Sequence, residues 1–180
     1  MAAMSEEADL RSAVDDLMSR PPPPARGFAL LDRGWLPALS WGALHHPNSR
    51  TRWLWLCLYY LDHVAVPASA AVFIAALDDP VPRVRRHAVH ALTCRACKSG
   101  PWPADVITPL RRVVAADVNP RVRFEALRAL LLCLDAAAAQ QTLGDVTARG
   151  DTDVAAVASR QRPRAVPAVL RSWARQAQAR

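Results

Sequence analysis

The chain has 180 residues, 52% of them apolar, and a formal net charge of +7, which is material for one compact domain. Its longest apolar runs, such as 71–77 (AVFIAAL), are far shorter than the roughly 20 residues of a membrane-spanning helix. The acidic opening MAAMSEEADL has no basic stretch followed by an apolar one, so a secretory route and a disulfide framework for the four cysteines are not expected, and the cytoplasm is.

Charge is unevenly spread. Residues 1–48 carry 4 basic and 6 acidic groups, residues 49–149 carry 13 and 8, and the last thirty-one carry 6 and 2. A basic body and tail allow an anionic partner without requiring one.

In chain order, residues 5–19 predict a capped amphipathic helix, with Ser5 at its start and Leu10, Val14, Leu17 and Met18 on one face. Four prolines at 21–24 then form a stiff spacer. A short helix is expected over 35–44, the segment 45–59 continues as a long apolar helix to about Leu61, and another helix runs from Pro67 to Leu77. A turn at 78–82 leads into a helix from Arg83 to about Lys98, which the SGPWP segment ends. Residues 104–116 form a further helix with Pro109 as a kink, and Arg121 to about Ala138 another. Residues 164–178 close the chain as an amphipathic cap.

The organising feature is a repeat. Residues 78–92 (DDPVPRVRRHAVHAL) recur 38 positions later as 116–130 (ADVNPRVRFEALRAL), with eight of fifteen positions identical. A period in the thirties marks a helical solenoid, whose helix pairs bury their apolar faces only by stacking. A divergent earlier copy carries Pro47, Arg50 and Arg52, and a faint later one carries Val154 and Ala158.

The pattern Asp79-x-x-Pro82-x-Val84-Arg85-x-x-Ala88-x-x-Ala91-Leu92, echoed at Asp117, Pro120, Val122, Arg123, Ala126, Ala129 and Leu130, resembles the HEAT repeat, in particular the short bacterial HEAT-like or phycocyanin-lyase-like type. The resemblance implies an all-α, right-handed α-solenoid of the armadillo type, with three to four helix pairs and capping helices. The expected organisation is a capping helix and proline-rich spacer at 1–33, repeats at 34–162, and a basic capping helix at 163–180. Val84, Ala88, Ala91 and Leu92 share one helical stripe suited to packing between layers. Each aspartate can accept backbone hydrogen bonds at a helix start, and each arginine can reach a neighbouring aspartate, so Asp79, Arg85, Asp117 and Arg123 are expected to form a ladder between repeats, with Arg52 its counterpart in the first copy. The resemblance also implies that the second helices line the concave face. Trp53, Arg86 and Phe124 then form one row and Cys57, His90 and Arg128 another, a mixture of aromatic and arginine side chains suited to a protein partner.

His87, His90, Cys94 and Cys97 are spaced i, i+3, i+7 and i+10, within an arc of roughly 80° on one helix. Imidazole and thiolate are zinc ligands, but four residues spread over about 15 Å of straight helix cannot all reach one ion. A zinc site would use His90, Cys94 and Cys97, with the helix unwinding after Cys94 and a fourth ligand from His87, His63 or elsewhere in the chain. The alternative is that the cysteines pack between repeats and the histidines lie at the surface. A redox pair is disfavoured, because the Cys-x-x-Cys sits at a helix C-terminus rather than the N-terminus that would activate it.

No catalytic set is legible. Deoxyhypusine hydroxylases, also built on HEAT-like repeats, bind iron through His-Glu dipeptides, which this chain lacks. No catalytic residue of the bilin lyases or the HEAT-like alkylpurine DNA glycosylases matches a position here. The expected function is a non-catalytic scaffold holding a protein partner on its concave face. The alternatives are nucleic-acid binding through Arg50, Arg83, Arg86, Arg121, Arg128 and the basic tail, and a zinc-binding module built on the histidine and cysteine stripe.

Overall fold

Each clear repeat begins at an aspartate whose carboxylate folds back on its own backbone. Asp79 Oδ1 accepts from the N–H of Val81 at 2.7 Å and Asp117 Oδ1 from that of Asn119 at 2.8 Å, and a helix opens three residues after each aspartate, at Pro82 and at Pro120. Proline suits that place because the first N–H groups of a helix have no internal partner.

The computed structural model describes residues 8–9, 11–12, 14–16, 36–54, 69–94, 105–133, 136–161 and 166–179. Residues 8–9, 11–12 and 14–16 are helical. The helices that follow are α1 (Leu36–Leu44), α2 (Ser49–Leu54), α3 (Ser69–Ala76), α4 (Pro82–Thr93), α5 (Ile107–Ala116), α6 (Pro120–Cys133), α7 (Ala136–Ala148), α8 (Thr152–Ser159) and α9 (Ala168–Gln178). The described residues include no strand, and none of their helices is long and apolar enough to cross a membrane.

The chain forms two units, Met1–Ala104 and Asp105–Arg180. In the first, α1 pairs with α2 and α3 with α4, while α3 stacks on α1 and α4 on α2. Its buried side chains include Phe73, Leu77, Val84, Ala88, Val89, Ala91 and Leu92, among them the whole stripe expected for α4. Val14 of the leading helical segment is also fully buried. In the second unit α5 pairs with α6, α7 packs on both, and α8 stacks on α6. Its core holds Leu110, Val122, Phe124, Leu127, Leu130, Val154, Leu170 and Trp173. Stacking of first helix on first helix and second on second, in both units, is the arrangement of a helical solenoid.

Three sequence expectations are corrected. The helix from Arg83 ends at Thr93 rather than Lys98, because Cys94 is extended (φ −71°, ψ 103°) and its N–H closes the last turn on His90 O at 2.8 Å. The helix from Arg121 ends at Cys133, and Ala136–Ala148 is a separate helix, whose alanine-rich sequence with Gly144 inside gave no apolar periodicity to read. Pro109 is the third residue of α5; in a first turn it displaces no internal hydrogen bond. The proline spacer at 21–24, the 99–103 segment and residues 55–61 of the predicted longer helix lie outside the described residues.

Candidate functional site

The repeat arginines are committed inside the fold. Arg52 Nε and Nη2 donate to Asp79 at 2.6 and 3.3 Å, and Nη1 donates to the carbonyls of His46 and Pro47 at 2.6 and 3.2 Å. Arg123 repeats the grip in the second unit. Its Nε and Nη2 meet Asp151 at 2.8 and 2.9 Å, and Nη1 meets the carbonyl of Asp117 at 2.8 Å. Arg85 Nη1 takes the carbonyls of Asp79 and Pro80 at 2.8 and 3.2 Å. In all three cases one guanidinium nitrogen reaches back six residues to the same turn carbonyl, a geometry that uses the planar fork of arginine. Arg52, Asp79 and Arg85 are buried. The Arg52–Asp79 and Arg123–Asp151 pairs join one helix pair to the next, and Arg85 ties α4 to the turn before it.

The acceptor in the second unit, Asp151, was missed from sequence. It caps α8 directly, accepting from the Val154 N–H at 3.1 Å. Burial by itself pushes its carboxyl up, but the Arg123 hydrogen bond, the Val154 N–H and the charges of Arg123 and Arg149 outweigh that and hold it below the ordinary value.

His46 occupies the place of the aspartate in the first repeat. Its Nδ1 accepts from the Asn48 N–H at 3.1 Å, as Asp79 and Asp117 do from the residue two further on. A backbone N–H can only donate, so Nδ1 is the acceptor and the ring proton of the neutral imidazole lies on Nε2. That nitrogen donates to Asp15 Oδ1 of the leading segment at 3.1 Å.

Away from these turns, α4 presents Arg83 and His90 exposed and Arg86, His87 and Cys94 half-buried, with no carboxylate within the helix. On α6, Arg121 and Leu132 are exposed, and half-buried Arg128 pairs with Glu125 at 2.8 Å. Phe124 departs from the expected row: it is 2% exposed, drawn into the core of the second unit by its apolar ring. The side chain of Trp53, and Cys57, lie outside the described residues. Of the zinc candidates, Cys97 lies outside them too, and among the described residues no three histidine, cysteine or carboxylate side chains are gathered to hold an ion.

The aspartate turn, the six-residue arginine grip and the like-on-like stacking define the repeat in space, and residues 36–131 match the family described as HEAT repeats. The chain belongs to the HEAT-repeat family. No curated protein and no solved structure matches it. The match spans α1 to α6, so the continuation of this HEAT-repeat protein beyond them is recognised by the stacking of α7 on α5 and of α8 on α6, and by Asp151, rather than by its sequence. α7 and α9 flank a trough floored by Leu143 and Trp173, which no motif marked.

Proposed function

We propose that this HEAT-repeat protein is a non-catalytic scaffold that binds a protein partner on the outer faces of its second helices, with Arg86 and His90 of α4 and Arg128 of α6 as contacts. The observation that carries the reading is a division of labour among the arginines. Arg52, Arg85 and Arg123 are spent on aspartates and turn carbonyls, whereas Arg86, Arg121 and Arg128 keep solvent-accessible surface. HEAT repeats commonly serve as protein-interaction scaffolds, and partly exposed arginines beside apolar side chains such as Leu132 are the composition that protein interfaces favour. The test is quantitative affinity capture with the wild-type chain and an Arg86→Glu/Arg128→Glu variant of equal thermal stability. Proteins enriched by wild type and reduced at least tenfold by the variant support the reading; capture unchanged by the variant refutes it.

A second reading, nucleic-acid binding, draws on exposed Arg50, Arg83 and Arg121. It requires log K to fall by about 0.9 per phosphate contacted for each tenfold rise in salt. Absence of DNA and RNA binding at low salt removes it. Zinc binding draws no support from the described residues.

A further inference from the structure

A trough of about 480 Å³ runs between α7 and α9 above the buried side chains of Leu143 and Trp173. A smaller cavity of about 110 Å³ continues it toward Gly150 and shares Thr147, Trp173 and Gln176 with it. No charged residue lines the larger trough, in a chain with a net charge of +7. The one carboxylate at the smaller end, Asp151, is already held by Arg123.

Two further observations say what kind of surface this is. First helices stack on first helices in this fold, α3 on α1 and α7 on α5, but α9 packs chiefly on the second helix α8. The flank of α7 that a following first helix would cover is therefore the wall of the trough. The second observation is Gly144 in the middle of α7. Glycine is the least favourable helix residue apart from proline, and a Cβ added here would meet nothing within 4 Å. Packing inside the chain gives no reason for a glycine, whereas close approach of an outside element does.

We propose that this trough docks an amphipathic helix of a partner protein, which lies against α7 as α7 lies against α5 and sets an uncharged ridge of large apolar side chains over Trp173. The uncharged lining offers nothing to neutralise a phosphate or an acidic segment. An extended segment is a poor match as well, because the backbone groups of the lining helices are used within those helices and the described residues include no strand edge. Small residues on the wall, Gly144 and Ala148 among them, allow ridge-into-groove packing at short interaxial distance. The proposal concerns a different surface from the cationic faces of α4 and α6 and does not depend on them.

The experiment titrates the full chain with three fluorescein-labelled peptides of about five helical turns. One carries leucines at i, i+4, i+7 and i+11, one has the same composition with leucines dispersed around the helix, and one has the leucine ridge interrupted by two prolines. Binding is read by anisotropy and located by amide and indole NMR shifts. The expected result is saturable binding of the ridge helix that moves the signals of Gly144, Thr147 and Trp173, with the other two peptides at least tenfold weaker. Gly144→Leu, which fills the trough, weakens the ridge helix at least tenfold. Gln176→Glu, which sets a charge at an exposed position of the rim, does so several-fold and covers the case in which the bulkier substitution disturbs α7. Arg86→Glu/Arg128→Glu binds the peptide as wild type. The proposal is overturned if no peptide saturates, if the proline-broken peptide binds equally, or if both trough variants retain wild-type affinity. It is also overturned if the chain dimerises in a way that Gly144→Leu abolishes, which gives the trough to a second copy.

Discussion

Replacing Arg52 by methionine measures what a rung of the arginine ladder contributes. The substitution keeps most of the aliphatic stem and removes four hydrogen bonds, two to Asp79 and two to the carbonyls of His46 and Pro47. The Asp79 side chain is only 4% exposed, so its carboxylate stays buried and keeps the Val81 N–H as a donor. Breaking one partner out of a buried pair costs about 3–5 kcal/mol. The retained Val81 bond places Arg52→Met at the lower end, about 3 kcal/mol, or roughly 6–12 °C in Tm if a chain of this size unfolds as a whole.

The second rung supplies an internal control. Side chains of Arg123 and Asp151 are 14% and 16% exposed, against 11% and 4% at Arg52 and Asp79, and Asp151 keeps the Val154 N–H and more water. Arg123→Met should therefore cost about half as much, about 1.5 kcal/mol. Urea denaturation of both variants, with a double-mutant cycle of Arg52→Met against Asp79→Asn, gives the numbers. Equal costs at the two rungs, or a coupling below about 0.5 kcal/mol in the cycle, refutes the claim that burial makes the first rung the stronger.

Asp151 has its folded-state pKa held below the ordinary 3.8, so the stability it contributes is full above about pH 4 and is lost as pH falls through the folded value. The stability gap between wild type and Asp151→Asn should then be constant from pH 7 to about pH 4 and shrink on further acidification; a gap that persists unchanged contradicts the assignment. The two glycines of the α7 region should respond with opposite signs to alanine. Gly144→Ala gains about 0.5–1 kcal/mol from helix propensity, since a Cβ there meets nothing within 4 Å. Gly150→Ala loses about 1 kcal/mol because φ is +65°, and calorimetry on the pair separates the two effects.

What the sequence made legible follows from how each interaction is encoded. The stripe Val84, Ala88, Ala91 and Leu92 and the Asp and Arg positions could be read because two copies of one turn lie 38 residues apart and their geometry depends on identical side chains. Asp151 could not be found by that register. Its helix starts one residue after it rather than three, and Val154 lies three residues on where Val84 and Val122 lie five after their aspartates. Two residues are missing from the turn, and the aspartate has become a direct helix cap. Phe124 aligns with Arg86 in sequence, yet one is buried and the other half-exposed, since repeat register fixes direction on a helix but not what covers it.

The same register shows how the ladder stops at residues inside the chain. At the far end, Ala155 stands where Arg123 stands one repeat earlier and is 1% exposed, so α8 accepts a rung through Asp151 and its equivalent position offers none. At the near end the roles are inverted: His46 stands where the aspartate would be, and the carboxylate comes from Asp15 of the leading segment. If His46 is a substituted rung, His46→Asp should keep the Asn48 turn but replace the hydrogen bond to Asp15 by repulsion between two nearby carboxylates, costing about 1 kcal/mol because the Asp15 side chain is 56% exposed. Adding Asp15→Arg to that variant rebuilds the arginine–aspartate pair of the inner repeats and should recover the loss. Rescue in the double variant, measured by denaturation and by protease resistance of residues 8–16, is the required result. Additive destabilisation by the two substitutions means that His46 fills its turn for reasons unrelated to the ladder.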